Sequence, residues 1–270
     1  MDFGLIDPNL IREAAFNYLK IDEIVKACKS NSYFNNALCR NNEIWKLLWE
    51  RDFSKEIVPK DYKTEYQDAY KILKKSNNIN ETAAEYGWEK QLKIPYDPAK
   101  ILAVARIRNT PNIVRKVFQD GYTDYGLLII AAADVGDFPL VEKLVNSHEI
   151  KVDYLLSALY YSLQKSYFDI SDLLVKFIPR SSIANTNGIY SYIADSVSID
   201  VLNRAIRYGA RNFNFLLYDA AKRGNKEFVE RILQENGIRQ EDYNQAITVA
   251  TENGYYDIAD MIQRAKDMDF

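Results

Sequence analysis

Residues 215–233 read FLLYDAAKRGNKEFVERIL, and the reading of this stretch decides the fold. An Ala-bearing helical segment runs into Gly224, whose freedom at positive φ suits the C-terminal cap of a helix. Asn225 follows, and its short side-chain oxygen can satisfy the orphan N–H groups that open the next helix. Phe228, Val229, Ile232 and Leu233 then fall at the spacing that makes one apolar stripe at 3.6 residues per turn. The phrase is a helical hairpin.

The hairpin recurs. Residues 127–145, LLIIAAADVGDFPLVEKLV, and residues 245–262, QAITVATENGYYDIADMI, repeat the pattern around Gly136 and Gly254, with Asp137 in the capping place of Asn225. Asp200-Val201-Leu202 to Ile206-Arg207-Tyr208-Gly209-Ala210 ends its helix in the same way. The β-branched residue that opens each second apolar cluster serves as a marker: Val114, Val141, Ile170, Val201, Val229 and Ile258. These markers stand about 29 residues apart, the signature of stacked supersecondary units. The stretch Leu155 to Val175 matches least well, with Gln164-Lys165-Ser166 where the glycine belongs. Ala131, Ala132, Ala220, Ala221, Ala246 and Ala250 are small enough for neighbouring helices to approach closely. An all-α row of hairpins, each leaning on the next, is the expected architecture.

The pattern resembles the ankyrin repeat, and most closely the shortened, degenerate ankyrin-type units of large DNA viruses. About six such units cover residues 99–270. The family's Thr-Pro-Leu-His opening is absent, which implies short or missing β-hairpin fingers. The resemblance implies a protein-binding platform. The aromatic residues Tyr160, Tyr161, Tyr167, Phe168, Tyr190, Tyr192, Tyr255 and Tyr256 form a candidate patch. Tyr160, Tyr161, Tyr190 and Tyr192 are the candidate target-binding residues, because Tyr joins a large contact area to a polar tip.

Residues 1–53 differ in kind. Pro8 suits the first turn of a helix running to Leu19, since a missing N–H costs nothing there. Asp22 can cap a second helix bearing Ile24, Val25 and Cys28, a third is expected around Tyr33 to Cys39, and Trp45 falls in another short turn. Pro8, Ile11, Phe16, Leu19, Ile24, Cys28, Asn31, Phe34 and Trp45 follow a pattern that resembles the F-box, and the continuation Glu50-Arg51-Asp52-Phe53 is similar to the F-box-like domains of giant-virus proteins. That resemblance implies docking on the adaptor subunit of a cullin-type ubiquitin ligase through Pro8, Leu10, Ile11, Phe16, Leu19 and Ile24. Residues 54–98 make a helical spacer. Tyr62, Tyr66, Tyr70 and Leu73 predict a helix over 61–75, Ser76 to Asn80 reads as loop, Pro95 and Pro98 introduce the repeats, and Trp88 is expected to be buried.

Composition narrows the function. With 47% apolar and 13% aromatic residues the chain can bury a substantial core. Basic and acidic side chains balance: 7 and 8 in residues 1–53, 9 and 8 in 54–100, 19 and 22 in 101–270. No region forms the basic stripe that phosphate neutralisation demands, so no nucleic-acid partner is expected. The apolar run Leu127 to Ala133 is far too short to span a bilayer, and no secretory leader is visible, so no membrane partner is expected either. Cys28 and Cys39 are read as two reduced, packed thiols, consistent with an intracellular, cytoplasmic address (the host cytoplasm, given the viral resemblance).

Chemistry is not marked out anywhere. His148, the single histidine, lacks a Ser or Cys partner in a recognisable motif, Cys28 and Cys39 lack zinc-ligand spacing, and no Gly-rich phosphate loop occurs. No catalytic residue, cofactor or metal is expected. The sequence therefore reads as a monomeric, non-enzymatic interaction adaptor that recruits a target to a ubiquitin ligase. The alternative is an ankyrin-like scaffold, host-factor inhibitor or virion component with no ligase role.

Overall fold

A computed structural model describes Leu19, residues 21–30, 39–40, 42–184, Ile193 and residues 198–269. Among them every regular element is helical and no strand occurs. The chain forms two compact units, Met1–Thr123 and Asp124–Phe270, a division that falls at neither 53 nor 98.

The first unit holds α1 (Ile21–Ser30), α2 (Asn42–Asp52), α3 (Tyr62–Lys75), α4 (Ile79–Tyr86), α5 (Pro98–Arg108) and α6 (Pro111–Gln119). Its core is aromatic. Ile24, Ile44, Trp45, Leu48, Trp49, Phe53, Tyr66 and Trp88 are buried together, with Leu19, Tyr62, Tyr70 and Leu73 packed around them. Phe53 lies edge-on to both Tyr66 and Trp88, at ring separations of 5.0 Å and 4.9 Å. Such geometry places positive ring edges against negative faces. The Tyr62, Tyr66, Tyr70 and Leu73 spacing thus did mark a packed helix, capped by the Asp61 carboxylate on the N–H groups of Lys63 and Thr64.

Three expectations in this unit change. Trp45 sits not in a short turn but in the eleven-residue α2, whose apolar face also carries Ile44, Leu48 and Trp49. Ile79 and Asn80 open α4 instead of closing a loop, because the Asn78 side chain accepts from the N–H groups of Asn80 and Glu81. Cys39 is disulfide-bonded, not a free thiol. It is 5% exposed in the same core that receives Ile24 from α1, the helix that carries Cys28 in sequence. The Cys28 side chain lies outside the described residues, as do the helices expected over Pro8 to Leu19 and Tyr33 to Cys39.

α4 packs on α5, and α5 on α6. Asp97 caps α5, whose first residue is Pro98, and α4 ends at Gly87 with φ of 71°. The buried Asn112 of α6 donates to the Gly87 carbonyl at 2.6 Å and to Glu89 Oε2 at 2.7 Å, so its polar head is satisfied.

The second unit contains α7 (Tyr125–Asp134), α8 (Phe138–Ser147), α9 (Val152–Gln164), α10 (Phe168–Leu174), α11 (Arg180–Ala184), α12 (Ile199–Tyr208), α13 (Phe213–Arg223), α14 (Lys226–Ile232), α15 (Gln240–Glu252) and α16 (Tyr256–Asp269). Helices pair as hairpins: α7 with α8, α9 with α10, α13 with α14, α15 with α16. Hairpins then lean on their neighbours. First helices pack on first helices (α7 on α9, α13 on α15), and second on second (α8 on α10, α12 on α14, α14 on α16). The markers Val141, Ile170, Val201, Val229 and Ile258 each lie in a second helix and are at most 2% exposed, as is Val114 in α6. Each such burial stabilises by about 1.5–3 kcal/mol relative to exposure.

Turns follow the same logic. The Asp137 and Asn225 side chains accept from Leu140 N and Phe228 N and so cap α8 and α14. Gly136 and Gly224 have φ of 75° and 71°. Each also lies against a tyrosine ring of a later hairpin: a Cβ would fall 2.8 Å from Tyr167 at the first and 2.5 Å from Tyr255 at the second. Ser166, in the hairpin that lacks the glycine, takes the left-handed conformation itself with φ of 59°. Gly254 has φ of 81° and nothing within 4 Å of its Cβ position.

These glycines separate two costs. Gly254→Ala is expected to lose about 1–2 kcal/mol, the penalty of an L-residue in the left-handed region. Gly224→Ala should lose more, because Tyr255 must also move. Urea denaturation of both variants measures the difference, and equal losses would show that the ring contact contributes nothing.

Candidate functional site

Of the residues assigned to adaptor docking, Pro8, Leu10, Ile11 and Phe16 lie outside the described residues. Leu19 is partly buried against the aromatic core, and its carbonyl lies 3.5 Å from Arg51 Nη1. Ile24 is completely buried among Trp45, Leu48 and their neighbours. In this arrangement Ile24 packs the core and presents nothing to a partner. Arg51 also donates to Asp52 at 2.6 Å, and Asp52 accepts from the Tyr66 hydroxyl, tying α2 to α3. Burial, reinforced by that hydrogen bond, holds the Tyr66 hydroxyl well above its usual pKa. Ile24→Ala is expected to cost about 2–5 kcal/mol through the cavity it leaves. Thermal unfolding checks this, and a variant as stable as the parent would release Ile24 for docking.

The aromatic residues divide by role. Tyr167 and Tyr255 cover Gly136 and Gly224 and so belong to the packing between hairpins. Phe168 carries the Arg204 guanidinium 4.3 Å above its ring. Tyr160 and Tyr161 are partly buried and meet edge-to-face at 5.1 Å. Tyr256 is 66% exposed. Tyr190 and Tyr192 lie outside the described residues.

Repeat register reveals two residues that the sequence reading passed over. Tyr218 stands in the same place relative to Gly224 as Tyr160 does relative to Ser166, Ile130 to Gly136 and Thr248 to Gly254. One helical turn earlier come Leu127, Ser157, Phe215 and Gln245. Phe215 and Tyr218 are 38% and 39% exposed on α13, next to α15 with its exposed Gln245 and Thr248. Aligning the hairpins on their turn residues, not on the β-branched marker, would have found them. The result is a first-helix face bearing large aromatic side chains.

Second helices are joined by polar bridges. Asp172 of α10 accepts from Arg204 Nη1 of α12 at 2.6 Å and from the Tyr208 hydroxyl. Arg231 Nε of α14 donates to Asn203 Oδ1 of α12 at 2.6 Å, and Lys226 of α14 lies 3.7 Å from Asp257 of α16. Burial raises the Asp172 pKa, but the hydrogen bonds from Tyr208 and Arg204 outweigh it and hold the carboxyl below the usual carboxylate range. A depressed carboxyl contributes stability that is present above its unfolded value, about 3.9, and is lost as pH falls through the folded value. The parent should therefore lose more stability than Asp172→Asn on acidification below about pH 4. Thermal melts across that range check the prediction, and parallel curves would overturn it.

Among the described residues no group of His, Cys, Asp and Glu is placed to hold a metal ion. His148 stacks on Tyr125 with ring centres 3.6 Å apart. No helix among the described residues is long and apolar enough to cross a membrane. Compared with known proteins, the chain matches no family model, no curated protein and no solved structure.

Proposed function

We propose that the chain is a non-enzymatic protein–protein interaction adaptor. Its ankyrin-like hairpins hold a target protein, and its F-box-like amino-terminal helices engage the adaptor subunit of a cullin-type ubiquitin ligase. The observation that carries the binding role is the register of the second unit. Near-equivalent hairpins bury most of their apolar residues on one another, whereas Phe215 and Tyr218 keep part of their rings at the surface. Large aromatic side chains left at a surface are the residues most enriched at protein interfaces. The ligase role is supported by the resemblance of residues 1–53 to the F-box pattern.

A second reading is favoured by the burial of Ile24. The amino-terminal helices would then serve only to complete the first unit's core, and the protein would be a scaffold or inhibitor with no ligase connection.

Calorimetric titration of the chain with the ligase adaptor subunit separates the two. The first reading expects micromolar or tighter association that Leu10→Lys abolishes while the circular dichroism is unchanged. Absence of binding at micromolar concentration removes the ligase role and leaves the scaffold.

A further inference from the structure

We infer that the Asn236-Gly237 pair, in the connection between α14 and α15, is a site of spontaneous deamidation. Water is the co-reactant, and an acidic residue arises where the chain carries a neutral amide. The backbone nitrogen of Gly237 attacks the side-chain carbonyl carbon, Cγ, of Asn236 and closes a succinimide ring as the Cγ–Nδ2 bond breaks. Ammonia leaves with the proton that the attacking nitrogen gives up. Water then adds to either ring carbonyl carbon and splits its bond to the ring nitrogen, which regains a proton. Opening at Cγ gives Asp. Opening at the backbone carbonyl gives isoaspartate, with the chain routed through Cγ. Nothing is oxidised or reduced. A glycine favours the attack because it has no Cβ to crowd its own nitrogen.

The chain has three Asn-Gly pairs, of which Asn187-Gly188 lies outside the described residues. The other two share their local sequence, since Glu235 precedes Asn236 and Glu252 precedes Asn253. Sterics do not separate them either. Gly237 and Gly254 have φ of 95° and 81°, and neither has anything within 4 Å of its Cβ position. Hydrogen bonding does. In the turn after α15, Asn253 Nδ2 donates to the Val249 carbonyl at 2.8 Å and the Gly254 N–H to the Thr251 carbonyl at 3.0 Å. Both reacting groups are held there, so the ring can close only after the turn opens locally. Asn236 and Gly237 are exposed, in irregular backbone beyond α14. Among the described residues no hydrogen bond engages the Asn236 amide or the Gly237 N–H. This pair has no bond to break before it reacts. The product also alters its surroundings. Gly237 borders a cavity of about 480 Å³ with Arg211 and Arg239. Arg239 already pairs with Glu241 and Asp242, at 2.8 Å and 2.9 Å, and deamidation places a further carboxylate just before that cluster in the chain.

The test incubates the full, folded chain at neutral and at mildly alkaline pH, with a parallel sample in urea. Peptides holding Asn236 and Asn253 are followed over days by mass spectrometry, each event adding the mass difference between an amide and an acid. The matching peptide from Asn236→Asp separates Asp from isoaspartate by its elution. In the folded chain Asn236 is expected to convert roughly tenfold or more faster than Asn253, the factor that goes with releasing both reacting groups from their hydrogen bonds. Both rates should rise with pH, because the attacking nitrogen must lose its proton. In urea the two rates should converge. Asn236→Gln, whose longer side chain would have to close a larger ring, should stay unmodified at that position and leave the rate at Asn253 unchanged. Comparable rates at the two sites in the folded chain would overturn the inference, and so would conversion of Asn236 in urea alone.

Discussion

A helical hairpin of this length cannot bury its own apolar faces, and the second unit is organised by that constraint. Isolated helices of five to thirteen residues, as found from α7 to α15, are marginal in water. Each becomes stable only by leaning on another. Close approach occurs at the turns, where Tyr167 lies on Gly136 and Tyr255 on Gly224. The glycine does two things there: its backbone occupies the left-handed region, and its missing side chain makes room for a ring. Ser166 shows that the backbone need can be met without a glycine, since it adopts φ of 59°.

From this follows a division between the two helices of a hairpin. First helices meet through small and branched apolar residues, among them Ala131, Ala132, Leu159, Leu163, Ala220 and Ala221, all nearly or wholly buried. Second helices bury their markers inward and meet their neighbours outward through partly exposed ion pairs and hydrogen bonds. Exposed pairs of this kind contribute little individually, typically below about 1 kcal/mol. They hold alignment more than they supply energy. The apolar seam of the first helices supplies the energy.

The hairpins were legible in the sequence because their signals are local. A helix-capping Gly, a capping Asn or Asp and a paired apolar stripe all lie within twenty residues of one another, and the described second helices begin where those signals place them. Ile79 and Asn80 were misread for a local reason too: the Ser-Asn-Asn run looks like a loop until Asn78 is seen as a cap. What the sequence could not offer was anything that depends on juxtaposition. The disulfide at Cys39 needs the segment before α2 and α1 to share one core. The seating of Tyr167 and Tyr255 on glycines is one such juxtaposition, and Phe215 and Tyr218 join the partly exposed aromatic residues only once the hairpins are superposed on their turns.

The same reasoning bears on the amino-terminal helices. A residue can serve a core or a partner, and a side chain with no exposed surface has already been assigned. Ile24 is such a residue, and Trp45, at 1% exposure, is another. Both close an aromatic cluster in which the Tyr66 ring lies 5.7 Å from Trp45 and 5.0 Å from Phe53. Docking through this module would have to use side chains other than Ile24 and Trp45. A pattern shared with a family thus contains two kinds of position, those that build the module and those that it displays. Only the first kind is fixed by packing, and Ile24 and Trp45 are of that kind.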